Sequence, residues 1–260
     1  MSTPQENQKD EAPVILSAAN LTKVFKGFVA VNGINLEVRE GSIQALIGPN
    51  GAGKTTVFNL LTKFIKPTKG RIFFRGRDIT SMNPAEVARL GVVRSFQISA
   101  VFPHLNVLDN IRVALQRQHG LARQFWLSRR TLSRLDERAE ELLDSVNLGS
   151  FKAVGASELP YGRKRALEIA TTLALDPTLL LLDEPMAGLG QEDIGVISEL
   201  IRRIGQSRTV LMVEHNLSVV ENLCSWVVVL RQGAVLAEGT YENVSADKRV
   251  LEAYIGSQHA

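Results

Sequence analysis

The stretch GPNGAGKTT, Gly48 to Thr56, constrains this chain more than any other. It matches G-x-x-x-x-G-K-[ST] in full, and it follows a strand-like run, SIQALIG, and opens a helical one. Gly48, Gly51 and Gly53 let the backbone curl until its N–H groups point inward, with Pro49, Asn50 and Ala52 completing the loop. The positive pole of the following helix adds to that field. Lys54 supplies a full charge for β- and γ-phosphates, and Thr55, followed by Thr56, a hydroxyl suited to Mg²⁺. A loop of this kind cradles nucleotide phosphates and requires a strand–loop–helix unit to carry it.

The rest of the chain supplies such a setting. PTLLLLDEP reads as a buried parallel strand whose C-terminal tip carries two acids, Asp183 and Glu184. Asp183 falls where a second group should hold Mg²⁺, and Glu184 beside it can polarise an attacking water. TVLMVEH is a second strand of the same sort, and DIGVISELIRRIG between them is helical. After Gly53, Val57, Leu60, Leu61, Phe64 and Ile65 form one apolar stripe, which predicts a helix ended by Pro67. Earlier runs, VILSAANL, VNGINLEV and RIFFRG, predict an antiparallel β element attached to the core. Residues from about Val107 to Leu148 read as mainly helical, WVVVLRQGAVLAEG as a hairpin turning at Gln232-Gly233, and KRVLEAYIG as a short terminal helix. Strands alternating with helices make an α/β domain with a largely parallel sheet. The basic run RQFWLSRRTLSR suits either a solvated face or a docking surface.

Composition narrows the function classes. A chain of 260 residues suits one large domain or two small ones. Thirty basic and 27 acidic residues leave a net charge of +3, too even to favour nucleic acid as a partner. A single cysteine, Cys224, excludes an internal disulfide and reads as a small buried hydrophobe. The start, MSTPQENQKDEAP, is polar and reads as a disordered tail over residues 1–13. No apolar run approaches a membrane span, so the chain is expected in the cytosol or on a membrane only through a partner.

ELPYGRKRALEIATTLA poses a separate question. A Pro-Tyr-Gly turn runs into a helical pattern whose first turn carries Arg163, Lys164 and Arg165. Cations at that end face a macrodipole that is already positive, at a cost of about 0.3–1 kcal/mol each. An anion or a partner at the helix N-terminus would account for the arrangement.

No N-K-x-D guanine motif is present. The order of the phosphate loop, Gln97 in RSFQ, LPYGR, LLLLDEP and His215 in MVEHN resembles the ATP-binding cassette (ABC) ATPases over nearly the whole chain, from about Ile15 to Gly256. The resemblance implies an α/β fold: a P-loop NTPase core with mostly parallel sheet, an N-terminal antiparallel β element, and a helical subdomain at about 98–175 inserted into a nucleotide-binding domain of residues 14–260. It implies ATP and Mg²⁺ as ligands. Phe25 would stack on adenine, its alternative being a core position. Gln97 would join Thr55 and Asp183 around the metal, and His215 would contact the γ-phosphate and hold the geometry around Glu184. LPYGR, namely Leu159, Pro160, Tyr161, Gly162 and Arg163, is similar to the family signature LSGGQ, which caps the ATP held by a second cassette. On that expectation the missing anion is a neighbour's γ-phosphate. Two positions depart from the pattern: Pro160 stands where the signature has serine, and Gly190 where the loop after the catalytic acid has aspartate.

LPYG…RALEIA, EPMAGL, VEHN and RVLEAYIG look like the ATPase subunits of branched-chain amino acid importers, the larger of two such ATPases in particular. The implied partners are two integral membrane permease subunits, a second ABC ATPase subunit in a heterodimer or a homodimer, and indirectly an external solute-binding protein. The implied location is the cytoplasmic face of the membrane, peripherally attached. An ABC-type ATPase of DNA repair or translation is the alternative; such proteins carry two cassettes, zinc modules or coiled-coil arms, and this chain has one cassette and no heptad arm.

Overall fold

The computed structural model describes residues 12–95, 101–118 and 129–255. The expected tail lies outside them apart from its last two residues, as do Gln97 and half of the basic run. Two sheets organise the described residues. The first is antiparallel, in the order β2-β1-β4-β5, built from β1 (Val14–Phe25), β2 (Phe28–Arg39), β4 (Lys69–Phe74) and the short β5 (Arg77–Asp78). The second runs β10-β9-β3-β8-β7-β6, from β3 (Ile43–Ile47), β6 (Val92–Ser95), β7 (Leu179–Asp183), β8 (Thr209–Val213), β9 (Trp226–Arg231) and β10 (Ala234–Gly239). Every neighbour in it is parallel except the β9–β10 hairpin, which turns at Gln232-Gly233 as the sequence suggests.

The leucine run of β7 is explained by burial on both faces. Leu179 and Leu181 join the apolar cluster shared with the antiparallel sheet and with α1 (Lys54–Leu61). Leu180 and Leu182 join the opposite cluster, shared with α3 (Val107–Gln118), α4 (Arg129–Ser145), α5 (Tyr161–Leu173) and α6 (Gln191–Gly205). Helix α1 is thus held between the two sheets, and a parallel strand with no wet face has no reason to alternate polar residues. Short helices α2 (Pro84–Arg89), α7 (Leu217–Leu223), α8 (Tyr241–Ser245) and the terminal α9 (Lys248–Ile255) complete the described α-helices. Burial pushes the Cys224 thiol up to about 12, so it is an inert part of the packing. No helix among the described residues is long and apolar enough to cross a membrane.

One expectation is corrected. Helix α1 stops at Leu61, well before Pro67. The Thr62 hydroxyl donates to the Phe58 carbonyl (2.7 Å), Lys63 turns left-handed at φ +63°, and the Ile65 N–H reaches back to the Asn59 carbonyl (3.2 Å). The chain closes the helix end with these bonds, and Phe64, expected in the apolar stripe, is half exposed.

Candidate functional site

Three adjacent parallel strands, β3, β8 and β7, end at the same edge of the sheet. Leu46 and Asp183 both pair with Val213, so the tips are in register. Ligands of open α/β sheets sit outside such carboxyl ends. The loop Gly48–Gly53 leaves β3, and Gly53 caps α1 with φ +101° and no side-chain hydrogen bond. A Cβ on Gly48 would lie 2.2 Å from the Leu230 carbonyl oxygen, and one on Gly53 2.7 Å from that of Ala30. Glycine is therefore demanded at both ends of the loop by close backbone approach as well as by dihedral angle. The Gly233 turn braces the same loop: its N–H donates to the Ala52 carbonyl (3.0 Å), and its carbonyl accepts from the Asn32 N–H (2.7 Å). Asn50, Gly51 and Thr55 are exposed at the rim, while Pro49 and Thr56 are half-buried and Ala52 is buried.

Lys54 is buried and donates to the carbonyls of Gly48 (2.7 Å) and Pro49 (3.0 Å), so its ammonium lies within the curl of the loop. Burial lowers its pKa, and the charges of Glu184 and Asp183 act in the opposite direction. Tyr254 of α9 is another neighbour: burial pushes its phenol up to about 12, and the Gly48 backbone pulls the other way.

At the tip of β7, Asp183 is buried and paired with Arg94 through Oδ2, while its Oδ1 is buried without a hydrogen-bond partner. Glu184 follows with φ +50°, a left-handed backbone that costs about 1–3 kcal/mol for such a residue. Its N–H donates to the Val213 carbonyl (2.9 Å), and its Oε1 lies 2.7 Å from His215 Nε2. The carboxylate and the imidazole thus meet at the turn that follows β7. A carboxylate held beside a histidine at a sheet edge next to a phosphate loop can take a proton from water.

Sequence reading passed over the residue that shapes both turns. Glu214 is buried, and its Oε1 accepts from the Met186 N–H (2.9 Å), its Oε2 from the N–H groups of His215 (3.0 Å) and Asn216 (3.2 Å). One carboxylate thereby ties the turn after Glu184 to the turn that presents His215. The available signal was an acid beside the histidine in MVEHN, at the end of a strand with no wet face. Arg94 was also passed over.

Oδ1 of Asp183 suits a cation, as an orphaned buried oxygen does, and Thr55 stands in the first turn of α1. Among the described residues no group of three or more His, Cys, Asp or Glu could hold a metal alone. Mg²⁺ keeps several waters and takes oxygens from bound phosphates, so it asks few ligands of the protein. Gln97, the third expected contributor, lies outside the described residues.

Phe25 ends β1 and pairs with Phe28 across the β1–β2 turn; both rings are exposed, at 42% and 69%. Lys23 Nζ lies 4.9 Å from the centre of the Phe25 ring, so Phe25 is no core residue and keeps surface for stacking. The same hairpin brings Ala30 against Gly53.

The signature segment is assembled differently. Leu159 is buried, Pro160 is exposed and caps α5 without a side-chain hydrogen bond, and Tyr161 is 54% exposed. The Tyr161 hydroxyl donates to the Ala187 carbonyl (3.3 Å), next to the exposed Gly190 that caps α6. Two of the three cations of the first turn are drawn away from the helix pole. Arg163 stacks on Phe151 at 3.8 Å, and buried Arg165 pairs with Glu168 (2.8 Å) and reaches to 3.5 Å of the Glu184 carbonyl. Gly162 is buried against the carboxylate of Asp193, whose carboxyl carbon lies 2.3 Å from where a Cβ would stand. A side chain at 162 would have to displace that carboxylate, which belongs to α6 and already faces the positive pole.

A cleft lined in part by Ser17, Glu37, Gln44, Arg202 and Trp226 opens at the other end of β3, away from this chemistry. A phosphate loop binds at a rim of N–H groups and needs no deep pocket.

Comparison with known proteins points the same way. The family model described as "ABC transporter" matches residues 31–187, and one described as "Branched-chain amino acid ATP-binding cassette transporter" matches residues 234–260. The chain is 41% identical over 249 residues to the high-affinity branched-chain amino acid transport ATP-binding protein BraF of Pseudomonas aeruginosa, covering 93% of this chain and 98% of the relative. It is 39% identical over 250 residues to the corresponding protein LivG of Escherichia coli, with the same coverage. A crystal structure of the ADP conformation of an ATP-binding cassette of an ABC transporter superposes with a TM-score of 0.83 at 30% identity, covering 94% of this chain and 99% of that one.

Proposed function

The chain belongs to the ATP-binding subunits of ABC transporters, and on that premise we propose that it hydrolyses ATP to energise the transport of branched-chain amino acids. The observation that carries the ATPase chemistry is the Glu184–His215 pair, 2.7 Å apart, at the sheet edge that also presents the phosphate loop. The solute class rests on the likeness to BraF and LivG and on the match at residues 234–260.

In this reading the N–H groups of the loop and the Lys54 ammonium hold the phosphates, exchanging the carbonyls of Gly48 and Pro49 for phosphate oxygens. Phe25 stacks on the base. Thr55, Asp183 and Gln97 are the residues that hold Mg²⁺; the ion, when bound, neutralises charge on the phosphate oxygens. Glu184 accepts the proton of the attacking water, and His215 fixes the orientation of its carboxylate and contacts the γ-phosphate. Glu214 keeps the two turns at a fixed separation. Leu159 to Arg163, at the head of α5, face the nucleotide of a second cassette, and the helical segment from about 98 to 175 is the arm that carries them.

The partners follow from this reading: two membrane permease subunits, a second ATPase subunit, a solute-binding protein outside, and a peripheral place on the cytoplasmic face of the membrane. Co-expression with the permeases, followed by reconstitution in vesicles, tests it. ATPase activity should rise when leucine-loaded binding protein is enclosed on the opposite side. Tight association with DNA or ribosomes, with no membrane fraction, would overturn the transport reading.

A further inference from the structure

We propose that Arg94 is a positioning residue that sets Asp183 and the first helix at the separation the metal site requires. It rests on the reading of Asp183 and Thr55 as metal-holding residues.

The guanidinium ties its own strand to two other elements. Nη2 bonds Asp183 Oδ2 at the tip of β7, in a pair whose side chains are 8% and 1% exposed. Nη1 donates to Asn59 Oδ1 (2.6 Å) on α1, and the Phe58 ring lies 5.7 Å from the guanidinium carbon. Arg94 itself belongs to β6, which leads directly into the segment carrying Gln97.

Helical spacing makes the Asn59 contact informative. Thr55 and Asn59 are four residues apart on α1 and therefore lie on one face, one turn apart. Clamping Asn59 to Asp183 through one planar guanidinium sets how far the Thr55 hydroxyl stands from the Asp183 carboxylate. The clamp engages only Oδ2 and leaves Oδ1 buried without a partner. One oxygen is used for position and the other is kept for the cation. Arginine makes the two contacts from two nitrogens of one planar fork, which fixes their separation, whereas an ammonium would make both from a single point on a flexible stem.

A solely structural ion pair predicts a different outcome. Burying a charged pair is seldom a net source of stability, and removing one partner costs stability by stranding the other. Loss of melting temperature alone therefore does not mark a positioning role. The distinguishing readout is the Mg²⁺ dependence of nucleotide affinity, measured with a fluorescent ATP analogue on the purified chain, in EDTA and across a Mg²⁺ titration.

Arg94→Met should leave affinity in EDTA within about threefold of wild type, since the loop and Lys54 are untouched. The Mg²⁺ concentration for half-maximal enhancement should rise at least tenfold. Arg94→Lys, which keeps a charge beside Asp183 but lacks the planar fork, should fall between. Asn59→Leu, which leaves the Asp183 pair intact, should shift the midpoint in the same direction by a smaller factor and serves if Arg94→Met is poorly folded. A midpoint within twofold of wild type in both Arg94→Lys and Asn59→Leu would overturn the proposal. Wild-type protein whose affinity ignores Mg²⁺ would overturn the metal reading beneath it, a separate and recognisable result.

Discussion

The phosphate-loop edge and the head of α5 both present a helix N-terminus, and they differ in how much of the surrounding site this chain provides. At the first, each charged group has a partner from the same chain. Lys54 has loop carbonyls, Asp183 has Arg94, Glu184 has His215, and Glu214 gathers three N–H groups from two turns. At the second, Pro160 provides no side-chain cap, Tyr161 lies open, and the nearby cations are drawn sideways to Phe151, Glu168 and the Glu184 carbonyl. A site that works alone can be finished by its own side chains. The head of α5 is only half finished: the Asp193 carboxylate lies over buried Gly162, while Pro160 and Tyr161 stay open. The contrast predicts that damage at the first edge shows in the isolated chain, whereas damage at the second shows only after assembly.

The largest effect should come from Glu184→Gln. Turnover should fall by about 10²–10⁴, the usual worth of a general base, while nucleotide affinity stays within about threefold. Single-turnover hydrolysis measures the first and equilibrium binding the second. Turnover within tenfold of wild type would move the base elsewhere. Lys54→Ala comes next, with nucleotide affinity of the isolated chain down about 100-fold, near 2.7 kcal/mol and within the range for a lost charged hydrogen bond. Near-normal affinity would show that the loop N–H groups suffice.

Gly162→Asp reverses the pattern. Affinity of the isolated subunit should hold, and turnover of the assembled transporter should fall at least tenfold, because the added carboxylate opposes the neighbour's phosphate. The Asp193 carboxylate already fills the space above Gly162, so Gly162→Ala must be measured beside it. Equal loss in both would assign the defect to displacement of Asp193 within this chain. Pro160→Ser should have the smallest effect, less than tenfold in assembled turnover, or about 1.4 kcal/mol of barrier. A larger gain would mean that the serine hydroxyl is a donor whose absence limits this subunit.

The sequence made the local parts readable. The loop pattern, the leucine run ending in two acids, the hairpin at Gln232-Gly233 and the helical stripe each lie within one short window, where period and turn chemistry act. What escaped were contacts across long stretches of chain. Arg94 and Asp183 are 89 residues apart, Met186 and Glu214 28, and no spacing rule connects them. Gly162 read as a surface turn for a partner because Asp193, a separate helix away in sequence, could not be foreseen above it. The early end of α1 escaped for a smaller reason: Thr62 and Lys63 carry no breaker signal, and the stop is made by backbone bonds to Phe58, Leu60 and Asn59.

The Gly233 turn beneath the phosphate loop has a consequence for synthesis. The motif is complete once Thr56 has been made, yet its shape depends on a carbonyl at Leu230, a turn at Gly233 and strands β8 and β9 on either side of β3. A nascent chain therefore carries the full nucleotide motif for most of its elongation without these supports. Competence for ATP should arrive only after β8, β9 and the Gly233 turn have emerged. A fragment ending before residue 226 retains every phosphate-loop residue and should emerge from the ribosome unable to hold nucleotide.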